Sequence, residues 1–258
     1  MTSPQVQILA LVGIPEVRPG DELARLILDA YRRRGLEAED GDVIVVTQKI
    51  VSKAEGRIVS LADVSPSSFA SSFASAAGKD ERLVEVALQQ ASRVVKMDRG
   101  ILITETTQGF VFANSGVDAS NVAAADSVTL LPEDPDRSAA RLRASLESAT
   151  GKALATIISD TFGRPWREGV VNVAIGASGV PPLVDYRGQT DTEGRLLSTT
   201  VVAIADELAA AAELVMGKLE RVPVALVRGY AFSTGPAGPH HERGAKALRR
   251  SAEHDLFR

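Results

Sequence analysis

The chain has 258 residues and a net charge of −4, with 45% apolar and 24% charged residues, a composition typical of soluble globular proteins rather than nucleic-acid coat proteins. Cysteine is absent, which excludes disulfide bonds, thiolate zinc sites and a cysteine nucleophile. No apolar run approaches the ~20 residues of a membrane helix, and the polar N-terminus lacks a signal-peptide pattern, so we expect a cytoplasmic protein.

The first 60 residues alternate between short strands and a helix. Residues 7–12 are predicted as a strand, and Asp21 is predicted as the N-cap of a helix that runs to about residue 34, where Gly35 ends it. The continuous β-branched run 43–46 predicts a buried strand.

The next elements include a hairpin. Residues 65–78, rich in Ser and Ala, predict a loop or a weak helix, whereas 80–96 has apolar residues at helical spacing and predicts one helix. Residues 101–104 and 110–113 predict two strands joined around Gly109.

The remaining chain continues to mix strands with single helices, which favours an α+β fold over a doubly wound sheet. From residue 234 the chain becomes rich in Gly, Pro and Arg. We therefore expect a domain over 1–233 and a peripheral tail over 234–258 with a short helix at 242–249. The other predicted elements are strands at 128–131, 153–158, 173–175, 183–186 and 222–227, and helices at 135–148 and 199–216.

Several familiar catalytic motifs are absent from the sequence. It has no phosphate-binding P-loop, no G-x-G-x-x-G and no G-x-S-x-G. The adjacent His240 and His241 are two of only three histidines, and we expect them in a solvated tail. Phosphate or metal would therefore be bound by carboxylates, hydroxyls, backbone amides and Lys or Arg side chains.

Polar residues follow three of the predicted strands. Lys49 and Lys53, after the strand 43–46, are four residues apart, so a helical turn would place both ammonium groups on one face, suited to phosphate or to a solvated turn. Asp118, with Asn121 nearby, follows the hairpin and would suit a hard cation or an ordinary turn. Asp160 follows the strand 153–158.

The third of these clusters, residues 159–167, combines several functional groups. Asp160 and Thr161 are adjacent and could share a Mg²⁺ or Mn²⁺ ion with Asp118, because two carboxylates from distant strand ends suit a metal–phosphate site. Arg164 and Arg167 could clamp an anionic group. Trp166 is the only tryptophan and predicts either a stacking surface or a core anchor.

Other acidic residues are predicted to be structural. Asp185 to Arg195 could form an exposed loop held by ion pairs. Asp206 and Glu213 share a face of the helix 199–216, and we expect both to be solvated.

Taken together, these stretches resemble the F420 gamma-glutamyl ligase family, and the resemblance covers roughly residues 7–229 in family order. The matching stretches are GIPEVRPGD (13–21), DVIVVTQKIVSKAEG (42–56), NSGVDASN (114–121), LPEDP (131–135), ISDTFGRPWR (158–167) and PVALVRG (223–229).

The resemblance implies a GTP-dependent ligase that adds L-glutamate to the deazaflavin precursor F420-0, often extending a γ-linked tail. It also implies Mg²⁺ or Mn²⁺, sometimes K⁺, a homodimer, and a family-specific α+β arrangement of two intertwined parts. No nucleic acid or membrane partner is implied. The alternatives that we keep open are a non-catalytic nucleotide- or deazaflavin-binding protein and a metal-dependent phosphohydrolase.

The resemblance also implies roles for individual residues. Asp118, Asp160 and Thr161 correspond to the family's metal ligands. We place Arg164 and Arg167 with the two aspartates in the catalytic group. This chain departs from the family at Arg221, where many relatives have a glycine. Nucleotide contacts correspond to Gly13, Ile14, Pro15, Glu16, Gln48, Lys49, Lys53, Asn121, Met216, Gly217 and Lys218.

Overall fold

A computed structural model describes residues 5–119, 126–232 and 241–255. Its α-helices are α1 (Leu23–Arg33), α2 (Gln48–Ala54), α3 (Ser68–Ala77), α4 (Glu81–Gln89), α5 (Pro135–Thr150) and α6 (Ile204–Met216). Its strands are β1 (Gln7–Ala10), β2 (Val43–Thr47), β3 (Ile58–Ser60), β4 (Ala91–Asp98), β5 (Ile101–Thr106), β6 (Val111–Ala113), β7 (Ser127–Thr129), β8 (Ala155–Gly163), β9 (Val170–Ser178), β10 (Val184–Asp185), β11 (Val201–Val202) and β12 (Val224–Arg228).

A five-stranded mixed sheet in the order β1-β12-β2-β8-β9 forms the centre of the fold. Strands β2 and β8 are parallel, with Thr47 opposite Ser159, whereas the other neighbouring pairs are antiparallel. The carboxyl ends of β2 and β8 therefore meet at one edge of the sheet, which is where ligands commonly bind in sheets with parallel strands.

Helices cover both faces of this sheet, and successive side chains of β2 point to opposite faces. Ile44 and Val46 pack with α1 and α5 on one face, whereas Val43 and Val45 pack with α6 on the other. All four side chains are fully buried, which explains the continuous apolar run in the sequence.

Residues 58–119 and 126–129 form a smaller part with its own apolar clusters. Helices α3 and α4 pack against the sheet β4-β5-β6, and β3 pairs with β7. The predicted α+β class is confirmed by this mixture of one mixed sheet and separate antiparallel sheets. The intertwined arrangement and the domain boundary at residue 233 remain predictions.

Two sequence predictions for helices are wrong in part. The helix predicted over 80–96 ends at Gln89, and the following strand β4 pairs with β5, because β-branched Val94 and Val95 favour a strand once a partner strand is available. Asp21 does not cap α1: its carboxylate accepts the backbone N–H of Arg18 at 2.8 Å instead.

Strand β8 is longer than predicted. It continues through Gly163 because β9 pairs with it as far as Val170, after a register irregularity at Ile158 and Ser159. Asp160 therefore lies within a strand, not in a loop that follows one.

Residues 244–249 pack on the core, so the expectation of a peripheral tail is wrong for them. Ala245 is fully buried, and the backbone N–H groups of Ala245 and Lys246 donate to the Asp136 carboxylate at 2.7 and 3.2 Å. Arg249 donates to the backbone carbonyl of Gln108. Asn121 and His240 lie outside the described residues.

Across the described ranges, none of the helices combines the length and apolar character needed to cross a membrane.

Candidate active site

A pocket of about 1140 Å³ opens beyond the carboxyl ends of β2 and β8. Its position follows from the parallel pairing of these two strands, which brings α2 and Asp160 to the same edge of the sheet. Twelve of the predicted site residues line it: Ile14, Pro15, Glu16, Gln48, Lys49, Lys53, Asp118, Asp160, Thr161, Arg164, Gly217 and Lys218.

Helix α2 begins directly after β2 and carries two of the pocket cations. Lys49 pairs with Asp118 at 2.8 Å, and the largely buried Lys53 pairs with Glu16. Their spacing in the sequence predicted that a helical turn would place both lysines on one face, and both lysines do lie in the helix α2.

Two buried side chains of the pocket wall retain unused hydrogen-bonding capacity. The Gln48 side chain is 1% exposed and accepts from Ser52 through Oε1, but its Nε2 has no partner among the described residues. The Ser159 hydroxyl, also buried, has no partner there either. Because unpaired buried polar atoms are costly, both mark places where a polar ligand would be stabilised.

Hydrogen bonds hold the backbone of Asp118 in place. Its N–H and carbonyl exchange hydrogen bonds with Thr129 at 3.0 and 2.9 Å. The preceding turn places Ser115 in a left-handed conformation, where its buried hydroxyl donates to the Ala87 carbonyl. The backbone that carries Asp118 is thus held in place, and its carboxylate pairs with Lys49.

The pKa of Asp160 is raised to about 7, mainly by burial and also by the negative charge of Asp118. The Thr161 backbone N–H, which donates to Asp160 at 2.8 Å, opposes this rise, as do the charges of Lys49 and Lys218. Two carboxylates that destabilise one another in a partly buried pocket are stabilised by a cation.

A polar network connects Thr161 to helix α6. The Thr161 hydroxyl donates to Asn172 Oδ1 at 3.2 Å and accepts from Lys218 Nζ at 2.9 Å. Asn172 donates to Glu213 at 2.6 Å, and Lys218 pairs with Glu213 at 2.6 Å. The Thr161 hydroxyl would have to exchange its contact with Lys218 to bind a metal directly.

The donor set fits a divalent cation shared with a substrate. Within residues 5–119, 126–232 and 241–255, no group of three or more His, Asp or Glu side chains could hold a metal alone. Mg²⁺ and Mn²⁺, however, commonly use only one or two carboxylates together with phosphate oxygens and water. Asp118, Asp160 and Thr161 supply such oxygens without any softer ligand.

Comparison with known proteins identifies the family of this chain. A sequence model of the family described as F420-0:Gamma-glutamyl ligase matches residues 12–229. The chain belongs to this family.

Curated relatives match over most of the chain. It is 46% identical to the coenzyme F420:L-glutamate ligase of Methanothermobacter thermautotrophicus over 98% of this chain and 99% of that protein. It is 49% identical to the protein of the same name from Methanopyrus kandleri over 94% of each chain, and 45% identical to that from Methanocaldococcus jannaschii over 85% and 86%. This chain is accordingly a ligase of the F420-0:gamma-glutamyl ligase family.

Not every predicted contact lies in the pocket of this ligase. Met216 is 1% exposed, belongs to the core cluster on the α6 side of the sheet and does not line the pocket. Gly13 and Arg167 are exposed and do not line it. The Gly13 carbonyl instead accepts from Arg33 at 2.9 Å.

Trp166 is 80% exposed, which excludes the core-anchor interpretation. It has a positive φ of 60° and directly follows Pro165, which lines the pocket. Arg164, also in the wall, is held by the carbonyls of Glu168 and Gly169.

The pocket of this ligase also contains residues that the sequence did not single out correctly. Glu213 and Asn172 form the network with Thr161, although we expected Glu213 to be solvated. Asp206 is likewise not solvated, because it accepts the Ala174 N–H at 2.9 Å. Asp185 pairs with Arg187 at 2.6 Å, which confirms the ion-paired loop.

Aromatic side chains form one wall. The Phe112 ring lies 5.4 Å from that of Phe162 in an edge-to-face arrangement and 5.8 Å from that of Phe110. Phe112 and Phe162 line the pocket. They place an apolar surface beside the charged groups, as is typical of sites for ligands that carry both a ring and a charge.

Proposed function

We propose that this ligase joins L-glutamate to coenzyme F420-0 through an acyl-phosphate intermediate, using GTP and a divalent cation. The observation that carries the proposal is the pair of carboxylates, Asp118 and Asp160, in a pocket with five cationic side chains. Membership in a family whose curated relatives are named coenzyme F420:L-glutamate ligase supports the choice of acceptor and amino acid.

In the first step, a carboxylate oxygen of F420-0 attacks the γ-phosphorus of GTP. The bond to the β–γ bridging oxygen breaks, and GDP leaves with that oxygen. The transferred phosphoryl group carries spread negative charge in the transition state, so catalysis depends mostly on positioning and charge stabilisation. Lys49 in the first turn of α2 and Lys53 in its last turn would bind the triphosphate, and the Gln48 amide would donate to one of its oxygens.

In the second step, the amine of L-glutamate attacks the acyl carbon. The amide bond forms as the bond between the acyl carbon and the phosphate oxygen breaks, and inorganic phosphate leaves with the proton that the amine loses. Arg164, half-buried in the wall, would hold an acceptor anion in line for this attack, because guanidinium groups bind carboxylate and phosphate oxygens in pairs.

The divalent cation would be held by Asp118 and Asp160, with Thr161 as a third oxygen. When bound, it neutralises charge on the phosphate oxygens. Asp160 must be ionised to bind it, and Lys49 would move from Asp118 toward the phosphates. Homodimer formation and a supporting K⁺ ion belong to the same proposal on the family resemblance alone.

The decisive experiment is mass spectrometry of products from F420-0, GTP, Mn²⁺ and L-glutamate. We expect F420-0 to gain one or more glutamyl residues, with stoichiometric GDP and phosphate, and no product when any component is omitted. Phosphate release without glutamate would favour a phosphohydrolase. Nucleotide binding without any turnover would favour a non-catalytic binding protein, and either result would overturn the proposal.

A further inference from the structure

The cations of the pocket are not equivalent. Each of its three lysines is already paired with a carboxylate: Lys49 with Asp118, Lys53 with Glu16 and Lys218 with Glu213. Its two arginines, Arg164 and Arg221, have no carboxylate partner within the described residues. These two guanidinium groups are therefore the cations of the pocket lining that no carboxylate pairs with directly.

Arg164 is engaged by the backbone, whereas Arg221 is not. The Arg164 guanidinium donates to the carbonyls of Glu168 and Gly169 in its own turn. The Arg221 side chain is exposed, lines the pocket, and makes no hydrogen bond or ion pair to any part of the chain that the structure describes. It is the pocket cation most available to a ligand.

The backbone fixes the position of Arg221. The Pro223 carbonyl accepts the Thr47 N–H at 2.9 Å, and the Val224 carbonyl accepts the Leu11 N–H at 2.9 Å, so the segment lies between the ends of β1 and β2. Arg221, two residues before Pro223, therefore lies close to Thr47, which precedes α2, and lines the same pocket as Lys49 and Lys53. Its φ of 55° lies in the left-handed region, which a non-glycine residue rarely adopts. An arginine held there at a backbone cost is typical of residues that serve a site.

We propose that Arg221 is a specificity-determining residue that binds an anionic oxygen of a substrate, either a phosphate of the nucleotide or a carboxylate of the acceptor or amino acid. The inference rests on the proposed function, because it requires that the pocket take an anionic substrate. A guanidinium that is not already paired contributes its full charge to such an anion and can donate two parallel hydrogen bonds.

The test compares Arg221→Met, which removes the charge but keeps a long side chain, with Arg221→Lys, which keeps the charge. Initial rates with GTP, L-glutamate and F420-0 varied in turn give the KM for each, and calorimetry gives the Kd for GTP with Mn²⁺. We expect Arg221→Met to raise the KM of one anionic substrate at least about fivefold, with partial recovery in Arg221→Lys. A rise for GTP identifies a phosphate, whereas a rise for glutamate or F420-0 identifies a carboxylate or the acceptor.

The control is Arg195→Met, which changes an exposed arginine outside the pocket and should leave every KM within about twofold of wild type. Unchanged KM values and GTP affinity in a folded Arg221→Met protein would overturn the inference. If wild type forms no glutamylated product, the proposed function fails, but calorimetry with GTP and Mn²⁺, with F420-0 and with L-glutamate in the two Arg221 variants still tests this residue: affinities equal to wild type for all three would then overturn the inference.

Discussion

Asp160 should make cation binding depend strongly on pH near neutrality. Burial raises its pKa to about 7 in the protein without a cation, and a divalent cation binds only the ionised carboxylate. Between pH 8 and pH 6 the ionised fraction falls from about nine-tenths to about one-tenth, so the affinity for Mn²⁺ should fall about tenfold. Asp160→Asn should bind Mn²⁺ more weakly and lose this dependence.

The same carboxyl determines how the stability of the cation-free protein changes with pH. The folded chain binds this proton more tightly than the unfolded chain, so the stability from Asp160 is complete below its unfolded pKa and is lost as the pH rises through about 7. A rise in pKa from 3.8 to about 7 corresponds to at most about 4 kcal/mol. At pH 8, Asp160→Asn should therefore unfold at a higher urea concentration than wild type while binding Mn²⁺ less tightly.

Both effects are measurable on the same samples. Free Mn²⁺ counted by electron paramagnetic resonance at pH 6, 7 and 8 gives the affinity, and urea denaturation gives the stability. Asp185→Asn is the control, because Asp185 pairs with Arg187 outside the pocket. An Mn²⁺ affinity that is equal at pH 6 and pH 8 in wild type, or the same pH dependence in Asp160→Asn, would refute the role assigned to Asp160.

Three further variants test other parts of the structure. Lys53→Ala should raise the KM for GTP about 10- to 150-fold, and a shift confined to glutamate would place Lys53 at the amino-acid site instead. Removal of residues 245–258 should lower the free energy of unfolding by at least about 2 kcal/mol, because it deletes the buried Ala245 and two backbone donors to the half-buried Asp136 carboxylate; equal urea midpoints would contradict this. Gly176→Ala should destabilise the protein by about 1–3 kcal/mol, because its Cβ would lie 2.3 Å from a backbone carbonyl oxygen of α5. The control is Gly163→Ala in the neighbouring strand, where a Cβ would have open space, and urea denaturation should show almost no change in its stability.

The sequence pattern correctly predicts elements whose residue types over a short stretch already indicate how they are buried. The strand at 43–46 was correct because a continuous β-branched run is stable only when both faces of a strand are covered, and both are. The helix predicted over 80–96 is correct for Glu81–Gln89 and wrong from Ala91 on, because apolar residues at helical spacing also occur by chance in a strand. Its strand state depends on β5, which follows later in the chain, and no local rule contains that pairing.

The site was predictable where function depends on neighbours in sequence. Lys49 and Lys53 lie on one helix and Asp160 precedes Thr161, so short patterns contained these contacts. Glu213 was misjudged because its partner Asn172 is 41 residues away on β9. A helix pattern shows which face an acid shares but not what packs against that face.

The order of the central sheet has a consequence for how the chain folds. Strand β12 lies between β1 and β2, and Gln7 pairs with Arg228, so contacts close a loop of more than two hundred residues. Closing a loop of this length costs chain entropy before the contacts between the paired strands offset it. This predicts slow folding for a chain of this size. During synthesis, the inner edges of β1 and β2 stay unpaired until residues 224–228 emerge, and that interval is when aggregation competes with folding.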